Sequence, residues 1–343
     1  MTFQIGPMAV ETQVLLAPMS GISDLPFRQA AAREGARYVV SEMVASEELA
    51  GERPDVVLRA ALDETIGLKV IQLAGREARW MAEGAKIAEA MGADIIDINM
   101  GCPARKVTGL LSGSALMRDL DHAESLIQAT VDAVSVPVTL KMRLGWDWQS
   151  LNAPELAQRA EAVGVKMLTV HGRTRCDFYK GNANWGAVRP VKEATSLPLV
   201  VNGDIGTADD ARLAMAQSGA DAVMVGRAAT GRLWLPRALQ KALAHGGAIE
   251  MPPLDRRGTI AVEHYRATIA HYRQGHAQGE EAGLALGIRM ARKHLAALID
   301  ATPELDRDAA KDAKKVLCTA NDPAIVEAEL IRLFEGCYAK VAA

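Results

Sequence analysis

Cys102 closes the string Asp97-Ile98-Asn99-Met100-Gly101-Cys102-Pro103, which overlaps the apolar run Ala93 to Ile98. Such a run reads as a buried strand, and the turn after it carries a thiol to the strand's tip, where barrel enzymes keep their reacting groups. A small buried cysteine in a turn is the plainer alternative, and the other strand tips weigh against it. Lys141 ends a second run, Val136 to Leu140, and offers a fixed positive charge that could stabilise an electron-rich cofactor ring or an enolate-like intermediate. His171-Gly172-Arg173-Thr174 follows a third run, and a His-x-Arg pair there can grip a phosphate or a base. Asn202-Gly203-Asp204 and Gly226-Arg227 follow two more. Glycines let backbone N–H groups approach an anion, so this pair implies a phosphorylated ligand.

Eight apolar, β-branched runs position these groups: Val14 to Ala17, Tyr38 to Val40, Gly67 to Leu73, Ala93 to Ile98, Val136 to Leu140, Met167 to Val170, Leu197 to Val201 and Ala222 to Val225. Stretches of helical composition separate them, among them Glu77 to Met91, His122 to Val134, Pro154 to Val163 and Ala208 to Gln217. Strand and helix in eightfold alternation predict a parallel sheet closed into a (β/α)8 TIM barrel. Pro18, Met19 and Ser20 would then stand at the first tip and Gln72 at the third, on the same mouth as Asn99, Cys102, Lys141 and Arg143. The alternation stops at His245-Gly246-Gly247 and Met251-Pro252-Pro253. Thr259 to Gln278, Gly283 to Ile299, Asp306 to Leu317 and Ala324 to Lys340 have apolar spacing near the 3.6-residue helical period. The expected domains are a barrel over 1-245 and an all-helical domain over 246-343.

Composition narrows the class. Hydrophobic residues make up 49% of the 343 and charged residues 24%, ordinary values for a globular protein. The start of the chain reads as lacking a secretory signal, and no apolar run reaches a membrane span of about 18 residues, so a cytoplasmic protein is expected. Cys102, Cys176, Cys318 and Cys337 are too few and too scattered for a disulfide framework or a zinc motif; reduced thiols and no structural metal are expected. The net charge of −3 argues against a general nucleic-acid binder. Arg105, Lys106, Arg143, Arg173, Arg175, Lys180, Arg227 and Arg232 nevertheless fall at or just beyond strand tips, so one basic face is compatible with that total.

These residues together resemble the tRNA-dihydrouridine synthases, flavin enzymes that reduce specific uridines in tRNA, and most of all the bacterial B type. The resemblance spans nearly the whole chain. It rests on Ala17-Pro18-Met19, Asp24 with Pro26-Phe27-Arg28, Ser41-Glu42-Met43, Gln72-Leu73-Ala74-Gly75, Asp97 through Lys106, Gly113 through Met117, Lys141-Met142-Arg143 with Gly145-Trp146, His171 through Thr174, Asn202 through Ile205 and Gly226-Arg227-Ala228. It implies FMN at the mouth, touched by Pro18, Met19, Ser20, Gln72, Lys141, Asn202, Gly203, Asp204, Gly226 and Arg227, with NADPH as electron donor. It also implies that Cys102 is the general acid, giving a proton to uracil C5 as hydride reaches C6. An ordinary thiol, with a pKa of about 8.5, is protonated at neutral pH as that role requires.

Asn99, Arg143, His171 and Arg173 are candidates to hold the uridine and its phosphate, since the base must leave its stack to reach the pocket. In the tail, Arg289, Arg292 and Lys293 lie three and four apart and share a helix face, and Arg292-Lys293-His294 resembles a segment the family applies to tRNA. The chain departs from many members after His294, reading Leu295-Ala296-Ala297 where an aromatic pair is expected. Two other readings stay open. A dihydroorotate-dehydrogenase-like flavin barrel would explain Cys102 and Lys141 but not the helical domain; a non-catalytic RNA-binding barrel would need neither residue.

Overall fold

In the computed structural model, residues 3–109 and 111–335 are described; Cys337 and the end of the helix expected to reach Lys340 lie outside the described residues. Two short strands, β1 (Phe3–Ile5) and β2 (Met8–Val10), form an antiparallel hairpin that the sequence reading did not anticipate. Three residues each, they are too short to show a period. Eight parallel strands follow: β3 (Val14–Leu16), β4 (Tyr38–Ala45), β5 (Leu68–Ala74), β6 (Ile95–Met100), β7 (Val138–Arg143), β8 (Leu168–His171), β9 (Leu199–Asn202) and β10 (Ala222–Val225). Each pairs with the next, and β10 pairs with β3, closing the barrel.

The strands at the site run further than their apolar stretches. Asn99 lies within β6 and Lys141 and Arg143 within β7, not beyond them. Alternation explains the difference, because successive side chains of a strand face opposite sides. Ile96 and Ile98 pack outward among the helices, while Ile95 packs inside with Val70, Val200 and Met224. One layer up, the inward series becomes polar: Gln72, Asp97 and Thr139 are neighbours in register. Asn99 and Lys141 pair in the layer above. The hairpin residues Ile5 and Val10 join the apolar inner cluster and close the opposite end. The barrel is therefore packed with hydrocarbon at one end and lined with donors and acceptors at the other.

Helix boundaries follow local chemistry. The helix Ala208–Ser218 opens on a capping box between Thr207 and Asp210 and stops at Gly219, whose φ of 72° suits a residue without Cβ. After the last barrel helix, Leu235–His245, the chain builds a helical bundle from Leu254–Gly275, Glu280–Asp300, Arg307–Thr319 and Pro323–Glu335. The first two cross closely: a Cβ on Gly283 would lie 2.3 Å from the Tyr272 carbonyl oxygen. None of the described helices is long and apolar enough to cross a membrane.

A polar seam attaches this bundle to the barrel. Asp24 caps the first barrel helix, Leu25–Arg33, by accepting from the Phe27 N–H, and it also accepts from the Tyr272 hydroxyl at 3.0 Å. His264 and His294 stack edge to face, with centroids 4.8 Å apart, and both pack on Phe27. Leu295 is buried here, and a Cβ on the barrel-loop residue Gly231 would meet the backbone of Ala297 and Leu298. The positions expected to carry an aromatic pair therefore face the barrel, and small residues there permit the close approach.

Candidate active site at the barrel mouth

Cys102 is half-buried and held from two sides. Its N–H donates to Asn99 Oδ1 at 3.0 Å, and its carbonyl oxygen accepts from the Ser114 N–H and from Ser114 Oγ, the latter at 2.8 Å. Gly113, at φ +60°, brings the second strand of contact in: a Cβ there would lie 2.9 Å from the Cys102 carbonyl oxygen. The Gly113-Ser114 pair thus shapes the thiol's loop, a role its sequence position alone did not reveal.

Lys141 is buried beside it. Its ammonium donates to Asn202 Oδ1 at 3.0 Å, and Asn202 Nδ2 donates to the Met224 carbonyl at 2.7 Å. Burial pulls the Lys141 pKa down to about 8; the neighbouring Arg143 adds to the pull and Asp97 opposes it. His171 is driven well below the ordinary histidine value by burial, then by the cations Lys141, Arg143, Arg173 and Arg227. It is a neutral imidazole at pH 7, and its Nδ1 is buried with no protein partner.

The two arginines foreseen as ligand-holding residues both make hydrogen bonds within the protein. Arg143 donates to the carbonyls of Gly101, Thr174 and Phe178, tying the Cys102 turn to the loop after β8. Arg173 is 1% exposed and donates to both Asp204 oxygens and to the carbonyls of Lys180 and Gly181. Burial alone would raise the Asp204 carboxyl, but the hydrogen bonds from Arg173 and the Ala183 N–H and the charges of Arg173 and Arg227 together outweigh it and hold the group below the ordinary range. Arg227 also reaches Asp204, at 3.1 Å.

The tips of β9 and β10 carry a run of backbone N–H groups. Gly203 has φ +119°, and a Cβ would collide with Ala183 and press on His171 Nε2. Asp204 follows at φ +54°, and the Trp185 indole braces the turn by donating to the Gly203 carbonyl. Among the described residues, no protein acceptor takes the N–H of Gly203, Asp204, Gly226 or Arg227. Met19 Sδ lies beside Gly226, 3.7 Å from where its Cβ would be. Pro18 is half-buried with Met19 at the tip of β3, and Ser20 is exposed.

Sequence spacing missed Tyr179. It is 56% exposed and lies between two guanidiniums, 5.6 Å from Arg143 and 5.2 Å from Arg227, an aromatic face at the rim of the mouth. Nothing short of the loop's path could have placed it there.

The tail cations do not form one row. Arg289 is exposed. Arg292 donates to Thr319, Ala320 and Asn321 at the end of a neighbouring helix. Lys293 is half-buried and comes within 3.2 Å of where a Gly21 Cβ would be, near Asp24 and Glu42. The acidic residues of the next segment are paired inside the bundle, Asp300 with Lys314 and Glu304 with Arg257.

A (β/α)8 barrel with a helical appendage, and a thiol, a buried lysine and unpartnered backbone N–H groups at one mouth, defines the class. The dihydrouridine synthase family model matches residues 15–316. A probable tRNA-dihydrouridine synthase of Rhizobium leguminosarum is 51% identical over 96% of this chain and 97% of its own length. The tRNA-dihydrouridine synthase B of Pseudomonas aeruginosa is 41% identical over 85% of each. The chain belongs to the dihydrouridine synthase family. Among solved structures, morphinone reductase shares the fold at a TM-score of 0.51 and 15% identity, covering 74% of this chain and 92% of that one. An old yellow enzyme homologue from Zymomonas mobilis does so at 0.53 and 13%, covering 70% and 91%.

Proposed function

We propose that this chain reduces uridine in tRNA to 5,6-dihydrouridine, using FMN at the barrel mouth and NADPH as electron donor. The observation that carries the reading is the juxtaposition of Asn99 on β6, Cys102 in the turn after it and Lys141 on β7 with the N–H groups after β9 and β10 that have no protein acceptor, in a chain 51% identical to a relative of that name. The residues present fit FMN. Four N–H groups without a protein acceptor and Arg227 suit its phosphate, while the Lys141 ammonium, steadied by Asn202, suits the polar edge of its ring, with Pro18 and Met19 as the apolar floor and Gln72 bracing Asn99 from the layer beneath. Ser20 and Asp204 border the same space. When bound, FMN supplies hydride.

The chain's own groups do the rest. Asn99 faces the pocket beside Cys102 and can hold the uracil; neutral His171 can accept or donate one hydrogen bond there without adding charge. Cys102 Sγ gives its proton to C5 as C6 receives hydride, and the resulting thiolate takes a proton back from solvent. Lys141, charged below about pH 8, stabilises the electron-rich partner. Exposed Arg105, Lys180 and Arg289, with Arg227 and Tyr179 at the rim, receive the RNA backbone and a flanking base. Arg292 contributes by tying two helices of the bundle together, and Lys293 by its position against the barrel near Gly21, Asp24 and Glu42. A cytoplasmic location accompanies this substrate.

The test is to map dihydrouridine in tRNA from cells lacking this protein and to restore it with the purified chain. The expected outcome is loss at a defined position, a yellow protein, and oxidation of its NADPH-reduced flavin by tRNA lacking dihydrouridine. A colourless protein and an unchanged map would leave the non-catalytic RNA-binding barrel in its place.

A further inference from the structure

Asp97 has no part in the chemistry proposed above, yet its carboxylate is buried in the middle of the barrel, 3% exposed. Burial pushes its pKa up, against hydrogen bonds from Thr139 and Gln72 and the nearby Lys141 charge. One oxygen accepts from Thr139 Oγ1 at 2.6 Å and the other from Gln72 Nε2 at 2.7 Å. From Gln72 the bonds continue: its Oε1 accepts from Asn99 Nδ2 at 2.6 Å, and Asn99 Oδ1 accepts from the N–H of Gly101 and of Cys102 at 3.2 and 3.0 Å.

The direction of this chain is settled at both ends. Amide nitrogen and oxygen are distinguished by their partners, and here the partners leave one arrangement. The N–H groups of Gly101 and Cys102 only donate, so Asn99 must turn its oxygen to them and its nitrogen to Gln72. Gln72 must then turn its oxygen to Asn99 and its nitrogen to Asp97, which as a carboxylate only accepts.

Resting on the reading above, we propose that Asp97 is a positioning residue for the proton donor: it anchors the far end of a hydrogen-bonded relay that runs through Gln72 and Asn99 and sets the Cys102 turn. Without an acceptor at position 97, Gln72 Nε2 is left buried with no partner, Gln72 loses the bond that anchors it under Asn99, and the turn bearing the thiol loosens.

Three variants test it. Asp97→Leu removes the acceptor. Asp97→Asn keeps one, because the amide oxygen can face Gln72 while its nitrogen faces the Thr139 hydroxyl. Both remove the charge beside Lys141 alike, so a difference between them isolates the relay. Thr139→Val removes the other hydrogen bond to Asp97 and leaves the relay whole. The readouts are kcat and KM for tRNA in the flavin-loaded enzyme and, in flavin-free protein, iodoacetamide labelling of Cys102 resolved by peptide mass spectrometry.

Asp97→Leu should lower kcat at least tenfold with KM within twofold, and speed Cys102 labelling at least threefold. Asp97→Asn should stay within threefold of wild type, and Thr139→Val within twofold, on both readouts. If Asp97→Leu does not fold, Asn99→Asp breaks the relay in its middle and should speed labelling equally. Labelling of Cys102 at the wild-type rate in Asp97→Leu, or an Asp97→Asn as impaired as Asp97→Leu, overturns the proposal. Labelling needs neither flavin nor tRNA, so it reports on the relay even in a chain that reduces no uridine.

Discussion

The mouth and the seam each bury an aspartate with both oxygens hydrogen-bonded, and they differ in the side chains around it. At the mouth, Asp97, Gln72, Asn99, Lys141 and Asn202 have hydrogen-bond partners of matching polarity. At the seam, both Asp24 oxygens are occupied, but His294 leaves Nδ1 and Nε2, and His264 leaves Nε2, buried without a protein partner. One such nitrogen costs about 1–3 kcal/mol. Satisfied networks hold geometry; the seam tolerates orphaned nitrogens because its task is attachment through ring packing on Phe27. Asp24 and the two histidines bring one ligand atom each within 4.8 Å, but both Asp24 oxygens are already hydrogen-bonded.

The largest effect that would break this contrast is at the thiol. Cys102→Ala should keep flavin and melting temperature and lower single-turnover reduction of tRNA by about 10²–10⁴-fold, the range of general acid catalysis; turnover at the wild-type rate would remove Cys102 from the mechanism. Next is acid stability of the seam. Burial holds His264 at about 4 and His294 well below 6.5, so in the fold they take up protons at lower pH than in the unfolded chain. The stability they contribute is whole above pH 6.5 and lost as pH falls towards 4. Asp24, raised to about 6 by burial, works the other way: the fold takes up its proton first, recovering stability as pH falls from 6 to 3.8. Two histidines outweigh one carboxyl, so thermal melts should show a net loss of stability from these groups between pH 7 and 4.5. A His264→Leu/His294→Leu double variant whose melting temperature falls with pH as steeply as wild type would refute this.

A middling effect is expected at the brace between mouth and phosphate cradle. Arg173→Met strands Asp204 and two carbonyls and should cost about 2 kcal/mol of stability, with weaker FMN retention on gel filtration; unchanged retention would separate Asp204 from the cradle. The smallest effect is on the RNA-facing surface. Arg289→Ala should weaken tRNA binding uniformly and lower the salt slope by about one, measured by filter binding at several salt concentrations, while Arg292→Ala should change melting temperature rather than that slope.

Strand number, barrel closure and the thiol were legible because they are local. Aliphatic runs separated by helical stretches admit few other folds, and Asn-x-Gly-Cys-Pro after one of them marks a turn whatever lies around it. The strand ends were less legible, since inward-facing Asn99, Lys141 and Arg143 interrupt hydrophobicity without ending the strand. The hairpin Phe3 to Val10 was invisible at three residues per strand. Charge at a strand tip has two uses, gripping a ligand and bracing a loop, and the bracing bonds of Arg143 and Arg173 were not legible because their partners lie on other loops.

The sequence by itself determined the alternation that closes the barrel, the residue types at its mouth and the helical tail, all consequences of side-chain periodicity and turn chemistry. Tertiary structure alone decided which polar groups spend their hydrogen bonds on protein and which remain open. Partners of Asp97, Arg173, Arg292 and Lys293 come from strands and helices far apart in the chain, and a donor's availability depends on what the fold brings within 3 Å of it.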